Sequence, residues 1–233
     1  SSSFKKKPSK VSIIIPEGLK AAWSEMFAKF NSASTSKVRI IHYGDSQLEG
    51  DRITGYFREK LQSNYGGQGP GFIPLMPVYS QIAVNITPIG DWKRYAIFDR
   101  SSAILEDGKY GLWTSFTSMK KLTKSDSLID STSVEKEYSI NISSSNRAFK
   151  HSRSFNEVTL HYGDIQGNLS LEVSQNDEQL LIKKLDTGRI YNKIKLNLSN
   201  TNDFKLNFKG NGNGKFFGLT FESETGIYMD NVA

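Results

Sequence analysis

Apolar residues recur at helical spacing in the first third of the chain and by alternation after it. Leu19, Trp23, Met26, Phe27 and Phe30 fall three or four residues apart after Pro16. That predicts a helix over 17–30 with one core-facing apolar stripe. A short apolar run over 11–15 reads as a strand stopped by Pro16. Lys37–Tyr43 (KVRIIHY) is rich in β-branched residues and ends at Gly44. It predicts a buried central strand. Ile53, Phe57 and Leu61 line one face of a second helix over 50–63, and a glycine-rich loop follows over 66–71. Helix, strand, turn and helix in this order describe the opening of an α/β domain.

From about residue 80 the helical period disappears. Runs at 95–98, 111–116, 138–142, 157–162, 168–174, 193–198, 204–208 and 216–222 alternate between Gly, Asn, Asp and Ser clusters. Eight short strands of this kind predict a β-sandwich or jelly roll, with no helix longer than two turns over 90–222. Asn211-Gly212-Asn213-Gly214 reads as a hairpin turn. The segment 226–231 begins a further apolar run. The fold class is therefore α/β plus all-β. The expected organisation is a leader over 1–10, an α/β portion over 11–85, a sandwich over 86–222, and a return to the α/β portion over 223–233.

Composition narrows the chemistry. The chain has no Cys, so disulfide scaffolds, Cys-ligated zinc and thiol catalysis are excluded. No apolar run approaches the roughly 18 residues of a membrane span. The net charge of +6 owes much to Lys5, Lys6, Lys7 and Lys10 in a Ser/Lys/Pro leader, expected to be unfolded. A nucleic-acid interface needs its basic residues on a folded face, so none is expected. No pair of His residues shares a helix face, and no acidic run has calcium-loop spacing, so no metal site is expected.

The sharpest local signal is Gly44-Asp45-Ser46, which ends the strand 37–43. Ligands bind open α/β sheets at the carboxyl ends of the strands. There a Ser hydroxyl can be a nucleophile, given a base, and its N–H at the foot of the next helix can help hold an oxyanion. Capping that helix is the ordinary alternative role for Ser46. His42 sits on the strand itself and reads as a packed strand residue. His151 and His161 lie in the β-rich region with no carboxylate placed to orient them. Trp92, Tyr95, Tyr110, Trp113 and Tyr191 are candidates for a platform on which sugar rings stack, although a sandwich core also needs large rings.

The stretch VRIIHYGDSQLEGDRITGYFREKLQSNYGGQGPG resembles the SGNH (GDSL) hydrolase family, with Gly44-Asp45-Ser46 matching its first block. More narrowly it resembles bacterial cell-envelope members, including peptidoglycan O-acetylesterases, whose hydrolase domain is interrupted by a sandwich like a carbohydrate-binding module. The resemblance implies a flavodoxin-like three-layer domain, Ser46 as nucleophile and the Ser46 backbone N–H as an oxyanion donor. It implies no cofactor, an acylated polysaccharide or cell-wall glycan as substrate, and a periplasmic, cell-surface or secreted location. A glycan-binding module without activity and an O-acetyltransferase are the alternatives.

The family also needs a second-block Gly, a third-block Asn and an Asp-x-x-His pair. Arg39, Ala148 and Val158 stand three residues before the three His, so no such pair exists here. The expectation is an N-terminal portion of a longer protein, its catalytic His and Asp beyond these residues and its remainder a partner. An interrupted domain further requires 226–231 to lie beside the strand 37–43.

Overall fold

The computed structural model describes residues 13–99, 105, 108–119, 138–196, 198 and 203–232. The leader expected over 1–10 lies outside them. A small α/β part holds α1 (Lys20–Asn31), β1 (Lys37–Tyr43), α2 (Arg52–Tyr65) and β13 (Gly226–Val232). β1 and β13 pair in parallel, in register from Lys37↔Gly226 to Tyr43↔Val232. The return of 226–231 to 37–43 is thus observed. Parallel neighbours need a crossover connection. Here the crossover contains α2 and then strands β2 to β12, which make the rest of the molecule.

Those strands are β2 (Gly71–Ile73), β3 (Val84–Ile89), β4 (Lys93–Ala96), β5 (Ser115–Ser118), β6 (Tyr138–Ser144), β7 (Glu157–Gln166), β8 (Leu169–Gln175), β9 (Glu178–Lys184), β10 (Asn192–Leu196), β11 (Phe204–Gly210) and β12 (Asn213–Glu222). One sheet runs β10-β7-β12-β5-β4, with β2 also paired to β12, and the other runs β3-β6-β11-β8-β9. Their inner faces share one core in which the Trp92 ring meets Phe208 and Phe216 edge-on, at 5.3 and 5.6 Å. Edge-to-face contacts suit the ring quadrupoles. Among the described residues between 90 and 222, the helical segment is a three-residue 3-10 turn, His151–Arg153.

Several expectations needed correction. The run 11–15 forms no strand over its described residues, and Ile13 and Ile14 are exposed. β2, β3 and β9 went unrecognised. β9 is a lysine-bearing edge strand and β3 an edge strand carrying Pro88, features that protect an edge and dilute alternation. The run 111–116 divides into a turn and β5, because Thr114 adopts a φ of 52°. Asn211-Gly212 does not close a hairpin: β11 and β12 belong to different sheets, and the turn carries the chain between them.

The helices present different faces from those expected. Of the α1 stripe only Phe30 is buried; Leu19 and Phe27 are exposed. On α2, Ile53 and Phe57 are exposed, and the buried face is polar: Thr54, Gly55, Arg58 and Gln62. β1 is not a buried central strand either, since its residues alternate between exposed and half-buried.

The cause lies in the backbone of β13. Its even-numbered residues face β1, so the carbonyls of Ile227, Met229 and Asn231 point to the other edge. Buried carbonyls need donors. Gln62 Nε2 donates to Ile227 O at 3.0 Å, Arg58 Nε to Met229 O at 2.8 Å, and Trp113 Nε1 to Asn231 O at 2.8 Å. Side chains therefore close that edge where a further strand would otherwise pair. The Arg58 guanidinium also meets the Asp51 carboxylate twice, at 2.7 and 2.8 Å.

This geometry sets the ranking of two substitutions. Arg58→Ala strands the buried Asp51 carboxylate and the Met229 carbonyl, and should cost about 3–5 kcal/mol. Phe57→Ser, on the exposed stripe, should change stability by no more than about 0.5 kcal/mol. Denaturant unfolding of the two variants checks this, and a larger loss for Phe57→Ser would show that the apolar stripe is the buried face.

Candidate active site

Ser46 lies just past the carboxyl end of β1, in an exposed turn. The turn is locally ordered. The Gly44 N–H donates to Val232 O at 3.3 Å, so the ends of β1 and β13 leave the sheet together. The Asp45 carboxylate accepts the Gln47 N–H at 2.9 Å, and Asp45 O accepts the Leu48 N–H at 3.0 Å. The buried Leu48 side chain folds over Gly44, where any Cβ would collide with it. The Asn231 Nδ2 donates to Leu48 O at 2.7 Å, tying the turn to β13.

One feature of the expected site is corrected. Ser46 does not stand at the foot of α2. A 3-10 turn, Glu49–Asp51, intervenes, and Gly50 and Asp51 take left-handed conformations at φ 73° and 65° before the helix begins at Arg52. A helix dipole acts over its first turn. The Ser46 N–H is therefore left as a turn amide rather than a helix-terminal one.

The structure brings none of the three His to Ser46 by a hydrogen bond. His42 Nδ1 bonds with Thr54 Oγ1 at 3.0 Å. His151 does have a carboxylate partner, contrary to expectation: Glu59 of α2 accepts from its ring at 2.8 Å and from its backbone N–H at 3.0 Å. That pair fastens the 151–153 turn to α2. His161 Nδ1 bonds the Tyr191 hydroxyl at 2.7 Å and its Nε2 bonds Thr220 Oγ1 at 3.1 Å. Burial holds the His161 pKa down to about 4, with Glu222 opposing and Arg39 assisting. It is neutral at physiological pH and a weak base.

The aromatic candidates separate into two groups. Trp92, Tyr95 and Tyr110 are core residues, at 5%, 5% and 2% exposure, and offer no platform. Trp113 is half-buried and Tyr191 is 54% exposed, and both line a cavity of about 490 Å³. Sequence spacing could not separate the groups, because every one of these rings sits in a strand-like or turn-like context.

At the base of this cavity the two parts of the molecule are joined by charge. Arg39 of β1 bridges Asp230 of β13, at 2.5 Å, and Glu222 of β12. Lys37 bridges Glu157 at 2.6 Å and Glu222 at 2.8 Å. Asp230 is fully buried and also accepts the Phe72 N–H at 2.9 Å. Burial raises its pKa, against the pull of Arg39. Hydrogen bonds from Lys195 and Lys37 lower that of Glu157. These roles were invisible in the sequence, where the five residues are spread over nearly 200 positions.

No protein-family model matches the chain, and no curated protein matches it. Among solved structures, one of a peptidoglycan O-acetylesterase is similar, with a TM-score of 0.56 and 16% identity over 90% of this chain and 50% of that one. At that identity the likeness is one of fold alone, and this chain spans half the length of that structure. Two carbohydrate-binding modules are also similar. The family 32 module of C. perfringens NanJ, in complex with galactose, has a TM-score of 0.32 and 9% identity over 65% of this chain and 98% of that one. TmCBM61, in complex with β-1,4-galactotriose, has a TM-score of 0.26 and 9% identity over 61% and 86%. Scores below 0.5 carry no weight for the fold.

The His161 environment gives a pH dependence. Unfolded, the imidazole takes a proton near pH 6.5; folded, it does so near pH 4. Between these values the unfolded chain holds more protons, so stability falls as pH drops from 6.5 to 4. The loss assigned to His161 is about 3 kcal/mol and should be missing from the His161→Gln variant. The ring proton resonances check it directly, and a midpoint near 6.5 would refute the buried, neutral assignment.

Proposed function

We propose that this chain carries the nucleophile of an SGNH-type serine esterase that removes O-acyl groups, acetyl above all, from a polysaccharide or cell-wall glycan. The observation that carries the reading is the place of Ser46. It sits in a Gly-Asp-Ser turn at the shared carboxyl end of β1 and β13, in a fold similar to that of a peptidoglycan O-acetylesterase. That edge of a parallel sheet is where α/β proteins bind ligands.

In this reading Ser46 Oγ attacks the ester carbonyl carbon while an imidazole takes the hydroxyl proton. The carbonyl oxygen becomes an oxyanion, to which the Ser46 N–H donates. Collapse of the tetrahedral intermediate breaks the bond to the sugar oxygen, which leaves with the proton from the imidazole. Water then releases the acid from the acyl-serine by the same steps. Because His42, His151 and His161 are bonded elsewhere, the imidazole and its carboxylate are assigned to polypeptide outside these 233 residues. Transfer of the acyl group to a sugar hydroxyl would need the same groups, with the acceptor replacing water. A cell-envelope substrate would place the protein outside the cytoplasm.

Hydrolysis of p-nitrophenyl acetate tests the assignment. This chain alone should turn over at background rate. A longer form that includes the assigned base should be active, and its Ser46→Ala variant should lose about 10⁴-fold or more in kcat, as triad members act as a unit. Full activity in that Ser46→Ala variant would remove Ser46 from the chemistry. Ser46-dependent turnover at the intact rate by this chain alone would place the base among the His residues described above.

A further inference from the structure

The cavity of about 490 Å³ beside β1 and β13 has walls, a floor and a charge balance that together specify a ligand. Its volume lies within the roughly 300–1,000 Å³ common for ligand sites. Trp113 forms one wall. Its indole is stacked on Phe72 at 3.6 Å, nearly parallel, and its Nε1 is fixed to Asn231 O. Tyr191 forms another. Its ring lies 6.0 Å from that of His161 at 26°, and its hydroxyl is bonded to His161 Nδ1. Both rings are held in position without a ligand, so little side-chain entropy remains to be lost on binding.

The buried charged groups on the lining, Arg39 and Asp230, are matched before any ligand enters, while Lys109, also on the lining, is exposed. Arg39 is shared between Asp230 and Glu222, and burial keeps His161 neutral. An ion seated against Arg39 or Asp230 would have to break these pairs. The hydroxyls of Tyr191 and Thr220, linked through the His161 ring, offer donors and acceptors at the floor. A hydrocarbon chain would cover these hydroxyls and leave their remaining donor and acceptor positions unmatched, at a cost in desolvation. What remains is an uncharged ligand with flat apolar faces and a rim of hydroxyls.

We propose that this cavity is a binding site for a neutral pyranose glycan, with sugar rings stacked against Trp113 and Tyr191 and sugar hydroxyls bonded to the Tyr191–His161–Thr220 chain. The site is coupled to the Ser46 turn through one residue. Asn231 accepts from Trp113 with its backbone carbonyl and donates to Leu48 O with its side chain. Glycan held here would lie against the same strand end that carries the turn. Only this last point rests on the esterase reading; the site itself does not.

Titration of this chain with cellotriose, xylotriose, mannotriose and triacetylchitotriose, followed by tryptophan fluorescence and calorimetry, tests the proposal. At least one trisaccharide should bind saturably, with a Kd of about 1 mM or tighter. Tyr191→Ala removes an exposed ring and should weaken that binding roughly 3- to 10-fold in a chain that still unfolds cooperatively. Trp113→Leu should weaken it at least as much. Three results would overturn the proposal: no saturable binding by any of the four sugars at about 20 mM, binding that both variants leave unchanged, or saturable binding of hexanol with none of the sugars. The assay involves no ester, so a failure here leaves the assignment of Ser46 standing, and inactivity of Ser46 leaves the glycan site standing.

Discussion

The parallel pairing of β1 with β13 is the constraint on which the rest of the structure depends. The two strands are nearly 200 residues apart, and everything between them must start and finish at adjacent points. The chain enters the sandwich through Gly69 and Gly71 and leaves it through β12, in backbone contact. A Cβ at Gly69 would strike Phe221 O, and one at Gly71 would strike the Asp230 carboxylate. Both glycines adopt positive φ, at 94° and 79°. A side chain at either position would force the entry and exit segments apart and, with them, the two parallel strands.

Pairing alone does not orient the two parts. That falls to the cationic side chains of β1, Lys37 and Arg39, which reach Glu157, Glu222 and Asp230. Such pairs lose hydration on burial and return it as Coulomb attraction, so their net stabilisation is small. Their geometry is nevertheless demanding. Asp230 is fully buried, and removing its guanidinium partner would leave a charge without compensation. Lys37 and Arg39 thus tie β1 to Glu157 and Glu222 of the sandwich, and Arg39 also lines the cavity between Trp113 and Tyr191.

The edge of β13 away from β1 is closed by Gln62, Arg58 and Trp113, whereas β1 pairs with no second strand among the described residues. Polar side chains on the buried face of α2 thus do the work of a neighbouring strand. They define β13 as the border of its sheet and leave β1 as the strand with backbone groups still to be matched. Ser46 stands at the carboxyl end of that strand. The proposed chemistry and the proposed glycan site meet at Asn231, where the sealed strand ends.

The sequence by itself determined the elements whose signal is local. The β-branched run 37–43 with its terminal glycine, most of the sandwich strands, and the Gly-Asp-Ser turn were legible because steric preference and alternation act within a few residues. The pairing of 226–231 with 37–43 was expected from the family resemblance, and the parallel register of β1 and β13 shows it. Tertiary structure decided which faces were buried. Ile53 and Phe57 make the better apolar stripe on α2, yet Arg58 and Gln62 are inside, because β13 presents carbonyls there that only donors can satisfy. Trp92, Tyr95 and Tyr110 became core while Trp113 and Tyr191 became walls of a cavity, a division set by the facing sheet and by the β1–β13 junction. Periodicity counts apolar residues along one segment; burial depends on the hydrogen bonds and charges that a distant segment brings to it.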